Sequence, residues 1–61
     1  MSNFIGLMDE NDNDIIIRES EIAAIFNNDS LTTVVLKCGK LLRVKESPYT
    51  VLAYIEESEP Q

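Results

Sequence analysis

Two short segments of this chain carry side chains that could do chemistry. In the first, Asp9-Glu10-Asn11-Asp12-Asn13, a carboxylate or an amide stands at each alternate position, as in the oxygen ligands that open an EF-type calcium loop. The match fails further along, because Asp14 stands where the loop needs glycine for a sharp turn and Ser20 stands where it needs a bidentate glutamate. The pattern therefore predicts a solvated turn built from Asn and Asp, without a metal.

The second segment is Lys37-Cys38-Gly39-Lys40. Its lysines would favour the thiolate form of Cys38, which is the reactive form of a cysteine. The chain has one cysteine and no histidine, so Cys38 has no histidine or second thiol to work with. We interpret Cys38 as a turn residue in a reducing, cytoplasmic setting, and we expect no catalytic residue, no cofactor and no enzyme activity.

Basic residues concentrate in the same region, since Lys37, Lys40, Arg43 and Lys45 are four of the five in the chain. A basic β-ribbon can bind nucleic-acid phosphates. No aromatic residue interleaves these four, and the net charge is -6, which opposes nucleic-acid binding. The favoured interpretation is that they protect exposed strands from edge-to-edge aggregation.

The length of the chain limits its core. A chain of 61 residues buries only about 60% of its unfolded surface, so we expect one domain, 1–61, with flexible tails at 1–3 and 58–61. Without disulfides or a metal, self-association remains as the means of stabilisation, and we expect a homodimer or larger assembly. The N-terminus lacks the basic region of a signal peptide, and no apolar run approaches a membrane span.

The elements that must position these segments are mainly strands. Residues 4–8 and 15–18 predict a first antiparallel hairpin around the acidic turn. Residues 21–26 fit a helical stripe through Ile22, Ile25 and Phe26 or a strand with Ile22, Ala24 and Phe26 on one face, and their short length favours a strand entered through a helical turn at Ser20.

Residues 32–45 predict a second hairpin, whose loop length decides its faces. A two-residue Cys38-Gly39 loop would mix Arg43 into the apolar face. A three-residue Lys37-Cys38-Gly39 loop, with left-handed Gly39 in a G1 bulge, keeps that face apolar, and we predict this loop. The apolar face is then Val34, Leu36, Leu42 and Val44. The opposite, half-basic face is the candidate interaction face: Thr33, Val35, Leu41, Arg43 and Lys45.

Ser47-Pro48 predicts the start of a helix that continues to about residue 57, because serine is a good N-cap and proline suits the first helical position. The predicted fold is therefore α+β: a small twisted antiparallel sheet of four to five strands with one C-terminal helix. The expected core is Ile22, Phe26, Val34, Leu36, Leu42, Val44, Val51, Leu52 and Ile55.

A family resemblance rests on residues 21–25, 33–39 and Val44-Lys45-Glu46-Ser47, followed by Val51 and Ile55. In this order they resemble the small flagellar and swarming-motility proteins of the FlbD type. The resemblance implies a strand pair, a further strand, a hairpin and a closing helix, and it implies no catalytic residue.

From these observations we expect a non-catalytic interaction or regulatory module, bacterial or phage, that docks onto a protein partner and self-associates. One alternative is a nucleic-acid-binding regulator that uses the basic hairpin 37–45. Another is an acidic inhibitor that presents 9–14 and 56–59 to a basic enzyme groove.

Overall fold

The computed structural model describes residues 3–58, and it confirms the α+β class. Residues 1, 2 and 59–61, which include most of the expected tails, lie outside the described residues. The elements in chain order are strand β1 (Phe4–Met8), strand β2 (Asp14–Arg18), a 3-10 turn (Glu19–Glu21), strand β3 (Ile22–Asn28), strand β4 (Leu31–Leu36), strand β5 (Leu41–Val44) and helix α1 (Pro48–Ser58).

The strands divide between two antiparallel sheets, β1-β2 and β3-β4-β5. The sheets meet where β1 and β5 both end, at a bridge between Asp9 and Val44 and a hydrogen bond of 2.8 Å from the Lys45 N–H to the Met8 carbonyl. Beyond this point β1 enters the acidic turn and β5 leads to the helix, so the pairing cannot extend into a single continuous ladder.

The first hairpin contributes more to the core than the sequence predicted. Ile5 pairs with Ile17 and Leu7 with Ile15, so these four side chains share the inner face. Ile5 and Leu7 are buried, and helix α1 contacts β1. Both residues belong to the core, although the predicted core omitted them.

Strand β3 follows a 3-10 turn, which confirms the strand assignment and the helical turn at Ser20. A bulge between Ile22 and Ala24 shifts the alternation of side chains. As a result Ile25 packs against the core, whereas Phe26 is 46% exposed. The prediction of Phe26 as a core residue was wrong, because a strict period of two does not continue through a bulge.

The second hairpin has the predicted three-residue loop. The Leu36 N–H donates to the Lys40 carbonyl at 2.9 Å, the Gly39 N–H donates to the Leu36 carbonyl at 2.8 Å, and Gly39 has a φ of +96°. Val34 pairs with Leu42, and Val34 and Val44 are fully buried. The predicted register and apolar face are therefore confirmed.

Helix α1 begins as predicted, with the Thr50 N–H donating to Ser47 Oγ at 3.1 Å. Val51 is fully buried and Ile55 packs beside it, but Leu52 is 47% exposed, so its place in the predicted core was wrong. Leu52 lies about 100° around the helix from Val51 and so falls outside the narrow buried stripe. The buried core is Ile5, Leu7, Val34, Val44 and Val51.

Within residues 3–58, no helix has the length and apolar character needed to cross a membrane.

Candidate functional site

The face of the β3-β4-β5 sheet that points away from the core is the candidate site, and we call it the outer face. It combines predicted residues with two that the sequence did not place there. Strand pairing puts Thr33 beside Phe26 and Arg43, and Val35 beside Ala24 and Leu41. The outer face is therefore Ala24, Phe26, Thr33, Val35, Leu41 and Arg43.

An apolar row crosses the outer face from one sheet edge to the other. Ala24, Val35 and Leu41 are cross-strand neighbours, so their side chains stand side by side over roughly 10 Å. Leu41 is 60% exposed, Val35 is half-buried and Ala24 is exposed. This row presents apolar surface to solvent without a covering element among the described residues.

The second row of the outer face is Phe26, Thr33 and Arg43. Arg43 Nη2 donates to the Asn28 carbonyl at 3.1 Å, so the side chain must cross β4 from β5 to β3. Its apolar stem and Phe26 flank Thr33, which is only 3% exposed. Arg43 Nε is buried and has no hydrogen-bond partner within residues 3–58. The half-buried Arg43 side chain thus lies across β4 on the outer face.

Lys45, the fifth predicted residue of the interaction face, points elsewhere. Its Nζ forms an ion pair with the Asp12 carboxylate in the acidic turn, although both side chains are substantially exposed. Lys45 thus meets the acidic turn of its own chain, across the meeting point of the two sheets.

The acidic turn at residues 9–14 is organised by one carboxylate. Asp9 Oδ1 accepts the N–H groups of Asn11 at 2.9 Å and Asn13 at 2.8 Å. The hydrogen bond from the Asn13 backbone N–H is the main cause that lowers the pKa of Asp9 below its usual value. Desolvation acts in the opposite direction, while the Asn11 N–H, the Asn13 side chain and Lys45 lower the pKa further. The Asp9 carboxylate thus holds the turn itself. Residues 3–58 contain no group of three or more side chains arranged to hold a metal ion.

The hairpin tip, Lys37-Cys38-Gly39-Lys40, is exposed throughout, and Cys38 carries a free thiol. For Lys37 and Lys40 the described part of the chain shows no ion pair. The four basic residues of the hairpin therefore divide into two groups: Lys37 and Lys40 lie at the tip, whereas Arg43 and Lys45 bond to other parts of the chain.

The fifth basic residue, Arg18, lies over the Phe4 ring with its guanidinium carbon 4.9 Å from the ring centre.

Two shallow grooves lie on the other side of the molecule. One has a volume of about 350 Å³ and is lined by Phe4, Ile5, Gly6, Tyr54 and Glu57. The second, of about 250 Å³, includes Asp14 and Glu46, but Glu46 Oε1 and Oε2 each lie 3.1 Å from the Met8 N–H and accept its hydrogen bond. Neither lining contains a serine, cysteine, histidine or lysine.

Sequence reasoning missed Ala24 and Phe26 as members of the outer face, because the bulge that puts them there has no clear signal in the sequence. The paired small residues Ala23-Ala24 are the only local hint of irregular packing. No protein-family model, curated protein or solved structure matches the chain.

Proposed function

We propose that this protein is a non-catalytic interaction module that docks onto a protein partner through the outer face. The observation that carries the proposal is the exposed apolar row of Ala24, Val35 and Leu41 beside Phe26, on a sheet whose opposite side already packs against the core. Rigid strands hold these side chains in fixed positions. A preorganised apolar surface of this kind suits a protein partner, since little entropy is lost when it is covered.

The charge distribution supports a protein partner over nucleic acid. Arg43 is engaged by the Asn28 carbonyl and Lys45 by Asp12, so half of the basic hairpin is not directed outward. The net charge of -6 would repel phosphates. The acidic turn is engaged in its own hydrogen bonds, which disfavours the inhibitor alternative.

The FlbD-type resemblance stays a prediction, and genomic neighbourhood is the first place to look for a partner.

Replacing Leu41 with aspartate tests the proposal. Leu41→Asp places a charge at the β5 end of the exposed row, and we expect at least a tenfold loss in partner recovery when the variant is immobilised as bait, read by mass spectrometry against wild type. Ile16→Asp is the matched control, because Ile16 is 71% exposed on the other sheet. If Leu41→Asp recovers the same proteins as wild type while circular dichroism shows an intact fold, the outer face is not the docking surface.

A further inference from the structure

We infer that the free edge of β3 pairs antiparallel with β3 of a second copy, with the two-fold axis at Phe26. This inference rests on the proposed function in one respect, because the pairing would join two outer faces into a single docking surface.

Strand β3 is an unprotected sheet edge. It lies at the end of the β3-β4-β5 order, and within residues 3–58 no strand pairs with its other side. Natural sheets protect such edges with charges, prolines or short strands. Strand β3 is the longest strand of the molecule, Ile22–Asn28, and its sequence contains neither a charged residue nor a proline.

The other edges are charged, shorter or already bonded. Strand β2 begins at Asp14 and ends at Arg18, and β5 has only four residues and is bridged to Asp9 at its end. Strand β1 is also uncharged, but it is two residues shorter than β3 and its last residue, Met8, accepts the Lys45 N–H. Strand β3 is therefore the longest uncharged edge that this chain offers to a second copy. An uncharged strand also lets two chains of net charge -6 approach without placing like charges opposite each other.

The alternation of backbone hydrogen bonds along β4 shows which backbone N–H and C=O groups of β3 point to the free edge. Leu36 directs its N–H to Lys40 on the β5 side, whereas Lys37 directs its N–H to the Glu21 carbonyl on the β3 side. Alternate residues of an antiparallel strand bond to opposite neighbours, so Val35 and Thr33 bond toward β3. Their partners Ala24 and Phe26 are thus satisfied by β4. The free edge presents the backbone groups of Ile25 and Asn27.

The ends of the regular strand select the register. The bulge at Ala23 interrupts β3 on one side, and Asp29 and Ser30 have φ values of +54° and +68°, which end the extended backbone on the other. The regular segment is 24–28, and its centre is Phe26. A two-fold at Phe26 lets Ile25 exchange both backbone hydrogen bonds with Asn27 of the second copy, and Asn27 with Ile25 of the second copy.

This register also places the side chains favourably. Phe26 faces Phe26 of the second copy at a non-hydrogen-bonded position, where Cα atoms are about 4.5 Å apart. Aromatic side chains are favourable cross-strand partners at such positions. The result is a six-stranded sheet in which both outer faces lie on one side, because the two-fold axis is perpendicular to the sheet. The pairing is short, so we expect the dimer to have a dissociation constant on the order of micromolar.

Cysteine cross-linking tests the register. In a Cys38→Ser background, Phe26→Cys places two thiols opposite each other within disulfide range. We expect oxidised glutathione to link them at least ten times faster than in the matched control Ala24→Cys, since Ala24 faces Asn28 of the second copy. A mixture of Ala24→Cys and Asn28→Cys should form the linked heterodimer. Equal cross-linking rates for Phe26→Cys and Ala24→Cys, or a folded Phe26→Cys that stays unlinked, would overturn the proposed pairing.

Two further variants separate this pairing from the docking function. Asn27→Pro removes an N–H that points to the free edge and leaves the β3-β4 ladder intact, so sedimentation analysis should show loss of the dimer with the secondary structure retained. Leu41→Asp should keep the Phe26→Cys cross-link even where partner recovery is lost. Loss of the cross-link in Leu41→Asp would mean that the outer face itself forms the dimer, and the edge pairing would be rejected.

Discussion

At the scale of single residues, Asp9 has the largest organising role outside the core. Its carboxylate accepts the N–H groups of Asn11 and Asn13 and so closes the turn between β1 and β2. The hydrogen bonds favour the charged form, which is why the pKa of Asp9 is lowered. A carboxyl group with a lowered pKa in the folded state stabilises the protein above its unfolded pKa, and this contribution is lost as the pH falls through the folded value.

This predicts an acid-dependent effect of Asp9→Asn. At pH 5 and above, wild type should be more stable to urea than the variant, and the difference should shrink as the pH falls below 3.8, the usual value of the group. Carboxyl NMR titration should give Asp9 a pKa below that value. Glu10→Gln, which removes a carboxylate of the same turn without touching these hydrogen bonds, is the control. A constant stability difference between pH 5 and pH 2 would contradict the role given to Asp9.

Local chemistry explains which residues could be predicted from the sequence. Gly39 and Ser47 were placed correctly, because a left-handed turn position and an N-cap depend on residues within four positions. The ion pair between Lys45 and Asp12 could not be predicted, since it depends on how the two sheets meet. The sequence placed Lys45 on the interaction face because strand alternation alone does not show that the side chain reaches Asp12.

At the scale of elements, the start of helix α1 depends on the Ser47 hydroxyl. It accepts the Thr50 N–H and also lies 3.0 Å from the Thr50 hydroxyl. The Val51 N–H donates to the Ser47 carbonyl at 3.0 Å, which makes Ser47 the first residue of the helical hydrogen-bond pattern. The cap therefore fixes the residue at which the helix begins, one turn before the buried Val51.

Removing this cap should destabilise the protein measurably. We expect Ser47→Ala to lower the free energy of unfolding by about 1 kcal/mol, because the Thr50 N–H loses its acceptor. Urea denaturation followed by circular dichroism measures the change. Ser47→Asp restores an acceptor at the same position and should recover most of the stability. If Ser47→Ala were as stable as wild type, the helix start would not depend on the cap.

The strands show where prediction from sequence fails at this scale. Short apolar runs between turns correctly indicated β1, β2 and the second hairpin, where the ladder is regular. It failed in β3, because one extra residue at the bulge reverses the expected facing of Phe26 and Ile25. The core assignment of Ile5 and Leu7 was also out of reach, since their burial depends on helix α1 contacting β1 from the far end of the chain.

At the scale of the whole molecule, the backbones of the two sheets meet at one junction among the described residues, formed by Met8, Asp9, Val44, Lys45 and Glu46. The Met8 carbonyl accepts the Lys45 N–H, and the Met8 N–H donates to the Glu46 carboxylate. The carboxylate thus takes the place of the backbone carbonyl that a longer β5 would have supplied. Such charge-assisted hydrogen bonds are stronger than neutral ones.

Glu46→Ala should weaken the junction. We expect a loss of about 1 to 3 kcal/mol in the free energy of unfolding, because the half-buried Met8 N–H is left without its acceptor. Glu46→Gln retains one acceptor oxygen without the charge and should lie between wild type and Glu46→Ala in urea denaturation. Equal stability of Glu46→Ala and wild type would show that the carboxylate does not hold the two sheets together.

The junction also bears on how fast the chain folds. Every strand pair within the two sheets joins neighbours in sequence, so short loops close these pairs at a small cost in chain entropy. The hydrogen bond from Met8 to Glu46 spans 38 positions, which makes it one of the non-local contacts that slow folding in small domains. We therefore expect a variant at the junction, such as Glu46→Ala, to change the refolding rate measured by stopped-flow more than a variant in either hairpin loop.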